Sequence, residues 1–112
     1  MLTLDKLREY GADVDDGLAR CMNMEGFYLD LIKSIMTDTK LDELEAALAT
    51  NDLDAAFEAA HAMKGMYANL SLTPILDPIL EMTELLRSRT DTDYSELLNE
   101  AKKQFSLLTE LA

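Results

Sequence analysis

A chain of 112 residues can bury a hydrophobic core without disulfide or metal staples, so one domain over residues 1–112 is expected. Its 22 acidic and 10 basic residues give a formal charge of -12, spread along the whole length. That charge disfavours nucleic acid and anionic membrane surfaces, which are bound through clustered lysine and arginine.

In chain order, Thr3 is placed to cap a short helix that stops at Gly11, and after an acidic turn over Asp13 to Asp16 a second short piece leads to Asn23. The next helix carries Met24, Phe27, Tyr28, Leu31, Ile32 and Ile35 at the three-and-four spacing of a face packed on a core. Thr39 is expected to cap the following helix, with Leu41, Leu44 and Leu48 inward, and Asn51 and Asp52 break the chain before a helix from about Leu53 to Leu70. Another helix, carrying Ile79, Met82, Leu85 and Leu86, starts either at Thr73 with Pro74 or at Asp77 with Pro78. In the first case Pro78 removes one main-chain hydrogen bond and should bend the first turn. The last helix starts near Asp91 to Asp93 and presents Tyr94, Leu97, Leu98, Ala101, Phe105, Leu108 and Leu111 on one side. Short connections make neighbouring helices antiparallel, so the expected fold is all-α, an up-and-down four-helix bundle with an additional short N-terminal helix.

Cys21 is the only cysteine, which excludes an intrachain disulfide, a Cys-x-x-Cys pair and a cysteine-rich zinc site, and it reads as a small buried apolar residue. MLTLDKLREYG lacks the apolar core of a secretory signal, and nowhere do eighteen apolar residues run together. A soluble cytoplasmic protein is expected. No linker or attached domain is apparent, which favours a free-standing, monomeric protein.

The stretch AAHAMKGMYANL, residues 59–70, holds the only histidine, His61, and a glycine one turn later in a helix interior. Interior glycine typically costs about 1 kcal/mol relative to alanine. On a helical wheel Leu53, Ala56, Phe57, Ala60, Met63, Tyr67 and Leu70 form one stripe, and His61 lies about 130° from its centre, so it faces solvent. A core imidazole is thereby disfavoured. Gly65 and Ala68 keep the surface low around it, and Lys64, three residues on, reaches over the same patch. Gly65 either lets another molecule approach the backbone, or it relieves crowding against a neighbouring helix or marks a bend. An imidazole whose ordinary pKa is about 6.5 is largely neutral in the cytosol and serves as a nitrogen nucleophile toward an electrophilic phosphoryl group. A nearby cation would hold the charge of the product.

His61-Ala62-Met63-Lys64-Gly65, followed by Ala68-Asn69-Leu70, resembles the signature of histidine-containing phosphotransfer (HPt) domains, commonly written H-x-L-K-G with a downstream A-x-x-L/I-G. The resemblance spans about Gly11 to Arg89 and includes the preceding LDELEAALATNDLDAAFEAAH. It implies that His61 accepts a phosphoryl group, that Lys64 neutralises it, and that Gly65, with Ala62, Ala68 and Met66, forms the docking surface. Arg87, and more weakly Thr83, would support the phosphoryl site from the next helix. The implied partners are a response-regulator receiver domain and, through it, a sensor or hybrid histidine kinase. The chain itself would bind no cofactor, the magnesium ion of such transfers being held by the receiver. Ser71 stands where the family usually has glycine and should change how the helix ends; Met63 replaces leucine at similar volume, and Ala62 and Met66 stand where small hydroxyl residues are frequent, Met66 bearing on partner choice.

No glycine-rich phosphate loop is present, so the resemblance describes a phosphoryl carrier without autonomous kinase activity. Two other readings compete. Glu58 and His61 have the Glu-x-x-His spacing of di-iron bundles, but such sites need two inward-facing pairs, so no metal site is expected. An acidic bundle acting as a non-transferring adaptor is the alternative that fold alone would allow.

Overall fold

Seven helices form, and in three of them the N-cap side chain closes the first turn. In the computed structural model, which describes residues 1–112, these are α1 (Leu4–Tyr10), α2 (Val14–Arg20), α3 (Glu25–Met36), α4 (Lys40–Ala49), α5 (Leu53–Asn69), α6 (Thr73–Arg87) and α7 (Ser95–Thr109). Thr3 caps α1 by accepting the Lys6 N–H, and Gly11 ends it in the left-handed region at φ 112°. Asp13 and Asp52 accept from Asp16 and Ala55 and start α2 and α5. Thr39 does not play this part for α4. Its hydroxyl faces Glu43, and the Asp38 carboxylate accepts the Lys40 N–H instead, at 2.8 Å.

The open choice at α6 is resolved in favour of Thr73, with Pro74 in the first turn and Pro78 buried inside the helix. Pro78 has no N–H to offer the Pro74 carbonyl, and the helix runs on to Arg87 nonetheless.

Helices α4 to α7 form the expected up-and-down bundle, α5 packing between α4 and α6 and α6 between α5 and α7. A cross-link from start to end shows that α5 and α6 are antiparallel, Asp54 at the start of α5 meeting Arg89 just beyond the end of α6, and Glu45 on α4 meets Lys102 on α7 near the middle of both helices. One core runs through the molecule, with Leu44, Met63, Ile75, Ile79, Met82, Leu86 and Leu108 fully buried beside Leu7, Tyr28 and Ile32 of the N-terminal helices. Cys21 is buried too. No helix is long and apolar enough to cross a membrane.

The face assigned to α3 needs correction. Tyr28, Ile32 and Ile35 are buried, but Met24 is 52% and Phe27 46% exposed. The helix buries a narrower strip than its spacing of apolar residues suggested.

The N-terminal helices grip the turn between α5 and α6. Tyr28 donates its hydroxyl proton to the Leu70 carbonyl at 2.9 Å, and the Asp13 N–H donates to the Ser71 carbonyl at 3.0 Å. Ser71 occupies the left-handed region at φ 55°, which explains why glycine suits this position. Serine is retained here with a partner: its hydroxyl donates to the Asp16 carboxylate. That bond, and then Arg20, hold the Asp16 carboxyl below the usual range. Ser71→Ala should therefore lower the melting temperature, losing the hydrogen bond while keeping the left-handed backbone. Ser71→Gly should recover about 1 kcal/mol relative to alanine, an ordering that thermal denaturation of the three proteins checks.

Candidate functional site

His61 sits at the middle of the seventeen-residue α5, and it is exposed as its phase on the helix required. One turn earlier on the same helix, Phe57 stacks beneath it with ring centroids 5.4 Å apart and planes 10° from parallel. Phe57 is half-buried and packs against the core from the border of the apolar stripe, and its ring also supports the imidazole. One turn later, Gly65 is exposed, and a Cβ built on it would meet nothing within 4 Å. Crowding against a neighbouring helix is thereby ruled out as the reason for this glycine.

Ala62 and Ala68 are half-buried and small, so they add little relief. Met66 is also half-buried and lines a shallow cleft of about 220 Å³ with Leu31, Ser34, Ile35, Asn69 and Leu70. The surface beyond His61 is thus flat over Gly65 and slightly hollow where α5 faces α3.

On the other flank the antiparallel α6 brings charge. Lys64 reaches Glu84 at 3.8 Å, and Arg87 reaches the other oxygen of the same carboxylate at 3.5 Å. The Arg87 guanidinium lies 5.3 Å from the Phe57 ring centroid and that of Arg89 lies 4.9 Å from it, both within cation–π range. These three cations differ in how firmly they are held. Arg89 bonds the Asp54 carboxylate and the Leu86 carbonyl, each at 2.6 Å, whereas Lys64 and Arg87 share Glu84 at longer range.

His61, Lys64 and Arg87 therefore belong to one patch, linked through Phe57 and Glu84. Thr83 does not. It is fully buried and donates its hydroxyl proton to the Ile79 carbonyl at 2.6 Å, so it cannot reach a group on His61. A threonine in a helix interior commonly bonds back to its own preceding turn. Phe57 packs against the core as its place in the stripe requires, but its stacking on His61 went unread, and so did Glu84 and Arg89. The spacing of four between Phe57 and His61 is the signal that could have revealed the first. No group of three histidine, cysteine or acidic side chains converges anywhere in the molecule.

Chemically, the patch offers a solvent-facing ring nitrogen, two loosely paired cations and a free approach over bare backbone. Such an arrangement can take up a group that arrives carrying negative charge on another molecule. A family model described as Hpt domain matches residues 34–111, which takes in the last turn of α3 and all of α4 to α7. This match starts later and ends later than the stretch from Gly11 to Arg89 over which the resemblance was read. No curated protein and no solved structure matches the chain significantly.

Proposed function

The chain belongs to the Hpt domain family, whose members are phosphocarrier modules of two-component phosphorelays and not kinases, and from that premise we propose that His61 is its phosphoryl acceptor. The donor is the phosphorylated aspartate of a response-regulator receiver domain, and the same residue passes the group to a second receiver aspartate. A lone pair on a neutral ring nitrogen attacks phosphorus, the bond from phosphorus to the aspartate oxygen breaks, and the electron pair leaves with the carboxylate. The proton on the other ring nitrogen stays on the ring during attack and exchanges with water afterwards.

Little covalent activation is needed for so electrophilic a group, and positioning and charge do most of the work. Phe57 fixes the ring plane, and Lys64 and Arg87 supply positive charge to a phosphoryl group that carries close to two negative charges. Gly65, Ala62, Ala68 and Met66 form the surface on which the receiver sits. The magnesium ion belongs to the receiver, the chain works as a monomer in the cytoplasm, and a sensor or hybrid histidine kinase feeds the relay.

The observation that carries this reading is the exposed imidazole beside a glycine whose missing side chain serves no contact within the molecule. Incubation with phosphorylated receiver domains tests it. The wild type should acquire an acid-labile, base-stable label, and His61→Gln should acquire none while its circular dichroism and melting temperature stay unchanged. Wild type that takes up no more label than the variant against a broad receiver panel overturns the proposal.

A further inference from the structure

We propose that Glu84 is a built-in competitor for the phosphoryl group, a positioning residue that limits how long and how fully His61 stays phosphorylated. The inference rests on the reading of His61 as acceptor and concerns the regulation of that same site. Glu84 does not itself touch the imidazole in the unmodified protein. It acts through the two cations that the phosphoryl group needs.

Three observations support the assignment. Glu84 uses one carboxylate oxygen for Lys64, at 3.8 Å, and the other for Arg87, at 3.5 Å, so a single anion pairs with both cations, and Arg87 can turn from it while its guanidinium stays over the Phe57 ring. It is itself 60% exposed, so water can replace either partner without leaving a buried charge stranded. The third cation is committed elsewhere: Arg89 is tied to Asp54 and to the end of α6 at hydrogen-bonding distance. Lys64 and Arg87 are therefore the groups that exchange, and Glu84 is what they exchange from.

The charges give the direction of the effect. Together Lys64, Arg87 and Glu84 carry one net positive charge, and a phosphoryl group with close to two negative charges more than cancels it. When the cations turn to the phosphoryl oxygens, the Glu84 carboxylate is left beside an anion with its own counter-charges withdrawn. No covalent bond changes at Glu84; only the ion pairs are exchanged. The outcome is a site that is stable when empty and uneasy when loaded, which suits a carrier that must give its cargo away.

Glu84→Gln keeps the size of the side chain and removes the competing charge. At equilibrium with a phosphorylated receiver, it should raise the ratio of phosphorylated to free carrier by about fivefold, the scale of one exposed charge interaction. It should slow return transfer to the receiver correspondingly. Glu84→Asp, which keeps the charge, should stay close to the wild-type ratio. The difference between Glu84→Gln and wild type should shrink as salt is raised to about 1 M, where charges are screened within a few ångströms. A merely structural role would move the melting temperature and would show neither the salt dependence nor the rescue by aspartate. If wild type is labelled but Glu84→Gln is labelled equally or less, this proposal falls and the acceptor reading stands. If wild type takes no label at His61 at all, both fall together.

Discussion

Gly65→Gln should leave the protein folded, raise its melting temperature slightly, and slow phosphoryl uptake by at least about tenfold. The first two effects follow from the helix alone. A side chain at this position projects into open space, and replacing glycine in a helix interior gains about 0.5–1 kcal/mol. The third follows from the partner. If a receiver must bring its aspartyl phosphate onto His61 across the bare backbone, a long side chain there obstructs the approach, and a loss of about 1.4 kcal/mol in the productive encounter already gives a factor of ten. Gly65→Ala should be at least as stable as Gly65→Gln, and its transfer rate should fall between those of wild type and Gly65→Gln. Thermal denaturation and the initial rate of label transfer, measured on the same preparations, check both halves. A Gly65→Gln protein that transfers at the wild-type rate would show that no partner passes over that turn.

Gly17→Ala makes the opposite case. A Cβ on Gly17 would lie 2.6 Å from Cε1 and 2.7 Å from the hydroxyl of Tyr28, and 2.8 Å from the Leu70 carbonyl oxygen. The ring is fully buried and its hydroxyl is committed to that same carbonyl, so neither neighbour has room to yield. We expect a loss of about 3 kcal/mol, at the upper end for overpacking by one methyl, because a buried hydrogen bond is broken as well. For a domain of this size that corresponds to a fall of about 10–15 °C in melting temperature. Leu70 lies nine residues beyond His61, about 14 Å along the helix axis. Transfer per folded molecule should therefore be unchanged when assayed well below the transition. Chemical denaturation gives the stability, and a label assay at low temperature gives the rest.

The contrast between these two glycines shows what could be read from residues alone. Gly65 was legible because everything that defines its surroundings lies on its own helix: the phase that exposes His61 also exposes the position one turn later. The meaning of Gly17 depends on Tyr28 and Leu70, and no local pattern announces that these converge on it. The same division holds elsewhere. Helix number and the buried positions of α5 and α7 followed from periodicity, and the exposure of His61 followed from it too. Met24 and Phe27 were assigned to a buried face because spacing gives the direction of an apolar strip but not its width. Thr83 lies on the helix next to the site, but its burial and its bond to Ile79, which no spacing reveals, keep it from the site. Glu84 could not be linked to Lys64 without the register between α5 and α6, which only the packed bundle supplies.

The order in which the helices pack also bears on how the protein acquires its structure. Each of α4, α5 and α6 packs against its successor in the chain, so three of the pairings around His61 close through short loops, while the tie from Glu45 to Lys102 that joins α4 to α7 does not. The ties from Asp13 and Asp16 to Ser71, and from Tyr28 to Leu70, span far longer stretches of chain. Loop-closure entropy makes local pairings quick and distant ones slow. The sequential pairs from α4 to α7 are thus set to form early, and the N-terminal ties then close over a turn between α5 and α6 that is already made.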